Sequence, residues 1–282
     1  MLNKIINTSA FIVTFLSIAA YASTGVITFK DEGFVGKFYP SSSTEKRIAV
    51  LVLGGSEGGI PDKLAKPIAE AGFSTLALAY FNAADLPQEL EKIPLEYFDH
   101  AKLWLKKQKN VKQDQLIVVG WSKGAELALL LASRDASIQR VVAIAPSSAV
   151  WAGILKDWTK VPASSWTDKG EELPFIPFNP TGKVNGLLDL YAQSLESRAD
   201  MGKANIPVGN IRGKVFLMTG ENDEIWPSPQ MSDVICQQMN SKRDDSCQHI
   251  NYLGLNHLLN YKFINKAELM NKTFLNMLTS DL

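Results

Sequence analysis

The 282-residue chain holds only two cysteines, Cys236 and Cys247, and three histidines, His100, His249 and His257. So few of either exclude a disulfide-dense scaffold, a cysteine-rich zinc site and a multi-histidine metal centre. An excess of one charge is missing too, since 29 basic residues balance 29 acidic ones. Without a basic excess or stripe there is no footprint for a phosphate backbone, and nucleic acid is not an expected partner. The 19 glycines and 13 prolines are scattered, which rules out a fibrous or low-complexity chain. No internal repeat is present, and no apolar run reaches the ~20 residues that a spanning helix needs. What remains is a globular composition, 46% apolar and 21% charged, long enough for one large domain or two small ones.

At the N-terminus, Lys4 precedes the apolar stretch Ala10–Ala20, which runs into the triplet Ala20-Tyr21-Ala22. A positive start, a short apolar core and an A-x-A site define a secretory signal peptide. Residues 1–22 are expected to be a cleaved leader. They leave a mature domain over residues 23–282 with no stable membrane anchor, in the periplasm or secreted. That compartment is oxidising, so Cys236 and Cys247 are expected to form one disulfide. The alternative is two buried thiols filling the seam between helix and sheet. Cys247 speaks against it, because the polar run Ser241–Gln248 does not read as core.

Gly25–Lys30 and Phe34–Tyr39 read as an opening hairpin turned at Asp31-Glu32-Gly33. The continuous apolar run Ile48–Leu53 suits a strand buried on both faces. Helix and strand then alternate: helix Asp62–Ala71, strand Ser74–Tyr80, helix Leu95–Lys107, strand Leu116–Gly120, helix Ala125–Ser133 and strand Val141–Ala145. After a long irregular region come strand Val215–Thr219, helix Ser228–Asn240, strand Gln248–Leu253 and a closing helix Lys266–Leu278. Leu269, Phe274 and Leu278 of that last helix are expected to face inward. The alternation predicts an α/β fold, a mostly parallel doubly wound sheet with helices on both faces. Reactive groups in such sheets collect at the carboxyl ends of the strands. The stretch Pro146–Arg212 breaks the pattern, with Trp151, Trp158, Trp166, Phe175 and Phe178 among Pro162, Pro174, Pro177 and Pro180. Long insertions are usually functional. About residues 147–212 are expected to form a lid whose aromatics wall a pocket, the alternative being a loop packed on the core.

The segment Gly120-Trp121-Ser122-Lys123-Gly124 is G-x-S-x-G, directly after a strand and before a helix. That is the context of a nucleophile elbow, which lifts the serine above the sheet edge. A serine nucleophile needs a base, and the base needs an orienting carboxylate, in the chain order Ser, Asp/Glu, His. His257, past the end of the strand Gln248–Leu253, is the expected base. His249 near the start of that strand reads as structural, and His100 as a surface residue. In Gly220-Glu221-Asn222-Asp223-Glu224, Asp223 is the expected acid, with Glu221 and Glu224 as solvated loop charges. The oxyanion hole is expected from the amides of Lys123 and Ser56, with Gly55 or Glu57 as alternatives to Ser56 in the glycine-rich loop 54–59. Gly55, Trp121, Trp151 and Trp226 are expected to touch substrate. The Lys123 side chain has no derived chemical role, and a surface pairing with Glu126 at i,i+3 is the plain expectation.

These residues resemble the C-terminal catalytic domain of the acyl-CoA thioesterase / bile acid-CoA:amino acid N-acyltransferase family, a dienelactone-hydrolase-like branch of the α/β-hydrolases. The most specific pieces are Ala77–Leu86, Leu95–Phe98, Gly120–Leu127, Gly220–Trp226 and Gly254–His257. The family's nucleophile, acid and base fall on Ser122, Asp223 and His257. The resemblance implies acyl transfer from an ester or thioester to water or an amine. The family's amidating transferases use cysteine where this chain has Ser122, which favours hydrolysis. The expectation is an exported serine hydrolase acting on a small-molecule acyl ester or thioester, with no metal or organic cofactor and an undetermined oligomeric state. The alternatives are transfer to an amine or alcohol acceptor, and a non-catalytic acyl-binding protein, against which the Ser, Asp, His order argues.

Overall fold

Successive residues of a strand point to opposite faces of a sheet, and here both faces are apolar. The computed structural model describes residues 25–199 and 202–279; the leader expected over residues 1–22 lies outside the described residues. The elements run β1 (Gly25–Ile27), α1 (Phe29–Glu32), β2 (Val35–Tyr39), β3 (Arg47–Leu53), α2 (Asp62–Glu70), β4 (Thr75–Ala79), β5 (Ile93–Pro94), α3 (Leu95–Lys106), β6 (Val111–Trp121), α4 (Lys123–Arg134), β7 (Ile138–Ile144), β8 (Trp166–Asp168), β9 (Glu171–Glu172), α5 (Leu187–Glu196), β10 (Lys214–Gly220), α6 (Ser228–Asn240), β11 (Cys247–Tyr252) and α7 (Leu269–Met277). Eight of the strands form one sheet in the order β1-β2-β4-β3-β6-β7-β10-β11. Pairing is parallel from β4 to β11. The opening hairpin, β1 and β2, adds an antiparallel edge.

Leu51, Leu53, Val118, Val141 and Leu217 face one side, where α3, α4 and α6 bring Phe98, Leu105, Leu127 and Ile235. Their chain neighbours Val50, Val52, Val119, Val142 and Met218 face the other, against Leu64 and Ile68 of α2 and Phe274 of α7. This is the doubly wound arrangement expected from the continuous apolar runs. One inward residue is misplaced by the sequence pattern: Leu269 is 76% exposed, whereas Phe274 and Leu278 are buried. A short 3-10 segment, Leu259–Ile264, fills that seam with Leu259 and Phe263, so α7 starts late and Leu269 sits on its outer face.

The stretch between β7 and β10 is more ordered than its sequence suggests. β8 and β9 join β5 in a second, three-stranded sheet, and α5 follows. Ala149, Trp151, Ile176, Tyr191 and Ala204 make a small core of their own with Trp226 and Met231.

A disulfide joins Cys236 on α6 to Cys247 at the start of β11, with a Cα–Cα separation of 4.9 Å. Cys247 is buried in the main core despite its polar flanks. The Asn240 side chain bonds both its amide (2.9 Å) and its carbonyl (3.0 Å), turning the chain inward there. Closing so short a loop restricts the unfolded chain. Reduction should therefore lower stability by about 2.5–3 kcal/mol in the chain-entropy account, read as a drop in the urea midpoint with dithiothreitol.

Candidate active site

Two glycines build the turn from β6 into α4. A Cβ at Gly120 would lie 2.1 Å from the Gly124 carbonyl oxygen, and one at Gly124 would lie 2.2 Å from the Gly54 carbonyl oxygen. Strand and helix meet without a loop, and Ser122 between them is held at φ 55°, ψ −119°, a conformation rare outside glycine. Its amide donates to the Ile144 carbonyl (2.8 Å), and its carbonyl accepts from the amides of Ala125 and Glu126. Ser122 lines a cavity of about 540 Å³, together with Ser56, Lys123, Trp226 and His257.

His257 follows the end of β11. Its Nδ1 lies 2.9 and 2.8 Å from the two carboxylate oxygens of Asp223, and both side chains are buried. A carboxylate only accepts, so Nδ1 carries the proton and Nε2 of the neutral ring is left as an acceptor. Asp223 is held from behind as well: the amides of Ile225 (2.9 Å) and Trp226 (3.2 Å) and the hydroxyl of Ser228 donate to it. The sequence reading missed Ser228; a serine at the first position of the helix after Asp223 is the signal that could have found it. Glu221 and Glu224 are exposed, as loop charges should be, yet both hold the histidine loop. Glu221 accepts from the Gly254 amide (2.9 Å) and Glu224 from the His257 amide (3.0 Å). His249 is tied to Thr219 (2.7 Å) and Asp233 (2.8 Å) at the sheet edge, and His100 is exposed on α3.

Neither the Ser56 nor the Lys123 amide meets an acceptor among the described residues. The Gly55 amide, by contrast, donates to the Glu57 carboxylate at 3.1 Å, which removes it as an oxyanion donor. Gly55 lies hard against the serine, since a Cβ there would be 3.2 Å from Ser122 Cβ. It is not part of the cavity lining. The loop is braced from below by the Tyr80 hydroxyl, which donates to the Gly54 carbonyl at 2.6 Å. Burial pushes this phenol well above its ordinary range, so it stays a neutral donor.

Of the tryptophans expected to touch substrate, only Trp226 lines the cavity. Trp121 points to the other face of the turn and packs edge-on against Tyr261 and Phe263. Trp151 is fully buried. It stands behind the wall, with Nε1 on Ser147 (2.8 Å) and its ring against Tyr191. Among the insertion's aromatics, Trp158, Phe178 and Tyr191 reach the cavity. Composition announced an aromatic wall, but it does not tell which rings face inward.

The Lys123–Glu126 pair forms, at 2.7 Å, but it is not at the surface. Both side chains are essentially inaccessible, at 1% and 0% exposure. The insertion covers this face of α4: Glu126 also accepts from Trp166 Nε1 (2.8 Å) and the Trp151 amide (3.4 Å). Burial pulls the ammonium below its ordinary range and pushes the carboxyl above its own, and the contact between them opposes both. Among the described residues no group of three or more His, Cys, Asp or Glu side chains converges as a metal site.

The family model described as BAAT / Acyl-CoA thioester hydrolase C terminal matches residues 93–279. The chain belongs to this family. Ser122, Glu126, Asp223 and His257 all lie within the match to the BAAT / acyl-CoA thioester hydrolase family, whereas the loop carrying Ser56 precedes it. Mouse mitochondrial acyl-coenzyme A thioesterase 2 is 30% identical over 212 residues, 74% of this chain and 44% of that protein. Mouse acyl-coenzyme A amino acid N-acyltransferase 1 is 28% identical over 212 residues, 74% of this chain and 48% of that protein. The chain thus spans about half the length of the curated relatives it matches. Among solved structures, the α/β hydrolase GrgF from Penicillium sp. sh18 shares the fold, with a TM-score of 0.58 at 18% identity over 87% of this chain and 93% of that one.

Replacing Glu126 by Gln should strand the Lys123 ammonium without its counter-charge and cost about 3–5 kcal/mol. The double variant Lys123→Met/Glu126→Gln, which removes both charges and keeps an amide oxygen for Trp166 and Trp151, should recover most of that loss. Urea denaturation of the three proteins checks it.

Proposed function

We propose that this protein is a serine hydrolase that cleaves acyl esters or thioesters through an acyl-enzyme. The observation that carries the reading is the buried His257–Asp223 contact at a cavity shared with Ser122. With Nδ1 committed to Asp223, Nε2 takes the proton as Ser122 Oγ adds to the acyl carbon. The oxyanion that forms is received by the Lys123 and Ser56 amides, the first at the N-terminus of α4, where the helix dipole favours negative charge. His257 then returns the proton to the departing thiol or alcohol. Water enters, His257 removes its proton, and hydrolysis of the acyl-enzyme frees Ser122.

Transfer to an amine is the second reading, supported by the similarity to the mouse N-acyltransferase. Serine rather than cysteine at position 122 supports hydrolysis over it. Export belongs to the same proposal. Its support is the leader-like pattern of residues 1–22 and the Cys236–Cys247 bond, since disulfides persist mainly in oxidising compartments.

Ser122→Ala should lower kcat by ~10⁴–10⁶ and abolish labelling by a fluorophosphonate, with the circular dichroism spectrum unchanged. His257→Ala should be as damaging, whereas His249→Ala and His100→Ala keep most activity. Acidification should lower kcat/KM, because a protonated imidazole cannot accept the serine proton. Retained turnover in Ser122→Ala, on a panel of esters and thioesters of varied chain length, would sink the reading.

A further inference from the structure

The walls of the cavity continue onto the outer surface as exposed apolar side chains. On one lip, Trp158 and Val161 line the cavity, yet are 69% and 90% exposed. On the other, Leu187 and Leu190 of α5 line it, while Leu188 beside them and Val184 just before the helix are 38% and 41% exposed. Four of the eleven large apolar side chains that the described residues expose therefore belong to two short segments around one mouth. Scattered apolar residues need no explanation, but a cluster around the entrance of an apolar cavity does.

The first lip is a built tip. Asp157 accepts from the amide (3.0 Å) and hydroxyl (2.6 Å) of Thr159, and the Lys156 amide is held by Glu89 (3.0 Å). A fixed turn thus presents Trp158 and Val161 outward. Lys156 and Lys160 flank them, and Lys183 flanks Val184; all three are exposed. Asp157 and Asp189 keep their charges, since hydrogen bonds from Thr159 and Asn185 hold both carboxyls below their ordinary range, and Lys160 lies 3.9 Å from Asp157. Lys156 and Lys183 have no acidic partner within 4 Å among the described residues. Exposed tryptophan and aliphatic tips bordered by lysine suit the boundary between lipid headgroups and acyl chains. No helix among the described residues is long and apolar enough to cross a membrane, so the contact is peripheral.

We propose that the two lips, Trp158/Val161 and Val184/Leu188, dock on a lipid bilayer, from which the acyl group enters the cavity. The substrate part of this inference rests on the hydrolase reading above; the docking part does not. Apolar insertion carries the contact, with Lys156 and Lys183 adding a small attraction to anionic headgroups. The five other tryptophans are buried or half-buried, but Trp226 lines the cavity, so the part of a fluorescence change on docking that Trp158→Phe removes is the part that reports Trp158.

The test uses the purified protein with vesicles of phosphatidylcholine, with and without phosphatidylglycerol. Expected are a blue shift of tryptophan emission and co-sedimentation with both compositions, persisting at 0.5 M NaCl. Val161→Asp, which keeps Trp158, should weaken vesicle binding at least tenfold. No co-sedimentation would overturn the proposal. So would binding lost in high salt and indifferent to Val161→Asp, or a dimer in analytical ultracentrifugation that Val161→Asp dissociates. Hydrolysis of a water-soluble short-chain ester, with fluorophosphonate labelling of Ser122, is measured alongside. Labelling without vesicle binding overturns docking alone, and vesicle binding without labelling overturns the entry of a hydrolysed substrate.

Discussion

The site depends on how closely the first turn of α4 approaches the end of β3. At Gly124 there is no room for a Cβ, which would stand 2.2 Å from the Gly54 carbonyl oxygen. That contact brings the serine turn and the glycine-rich loop to one point, although they are separated by more than sixty residues of chain. It also makes the loop's stability a local matter. Its carbonyls are held from below by Tyr80 (2.6 Å) and Asn82 (3.0 Å), and the Glu57 carboxylate claims the Gly55 amide. Ser56 is the residue of this loop that lines the cavity, and its amide has no acceptor among the described residues. Fixed dipoles that need no reorganisation are what an incoming negative charge is best stabilised by.

A second constraint follows from the charge buried behind that turn. Two ions taken out of water are stable only when their remaining hydrogen-bonding positions are satisfied. Glu126 meets this by using one oxygen for Lys123 and the other for Trp166 and Trp151. The latter two belong to the insertion. The insertion is thus fastened to the helix that carries the serine, through a carboxylate with 0% exposure. Its small core of Trp151, Tyr191 and Ile176 packs onto Trp226, whose amide in turn bonds Asp223. The same segment that walls the cavity therefore touches both the serine helix and the acid loop.

The parts of this arrangement legible in the sequence are those that a short pattern constrains. Continuous apolar runs separated by helical periods gave away a doubly wound sheet, because both faces of each strand must be apolar. G-x-S-x-G at a strand–helix junction marked the tight turn, because only glycine allows the approach at positions 120 and 124. Less legible was direction. Spacing i,i+3 places Lys123 beside Glu126 but does not tell which face of α4 the insertion covers, so a fully buried pair read as a surface one. Trp121 and Trp151 were expected at the cavity for being aromatic and nearby. Trp121 alternates away from Ser122, and Trp151 is spent on the insertion's own core. Leu269 keeps helical spacing with Phe274, yet a 3-10 segment occupies its place against the sheet.

The contact between His257 and Asp223 is closed into a ring by the disulfide. Asp223 leads into α6 through Ser228, whose hydroxyl donates to the carboxylate. Cys236 on that helix is bonded to Cys247, which opens β11, and β11 delivers His257. Asp223 and His257 thus sit beside two elements joined covalently at one end and by the 2.8 Å Nδ1–carboxylate contact at the other. Glu221 and Glu224 pull the two loops together between those ends, through the amides of Gly254 and His257. Orientation of an imidazole is costly to maintain on a mobile loop, because a small displacement misaligns proton transfer. Here the loop is held at its amides, its ring nitrogen and the root of its strand. The histidine is therefore held by the α6–β11 unit together with the loop that carries Asp223.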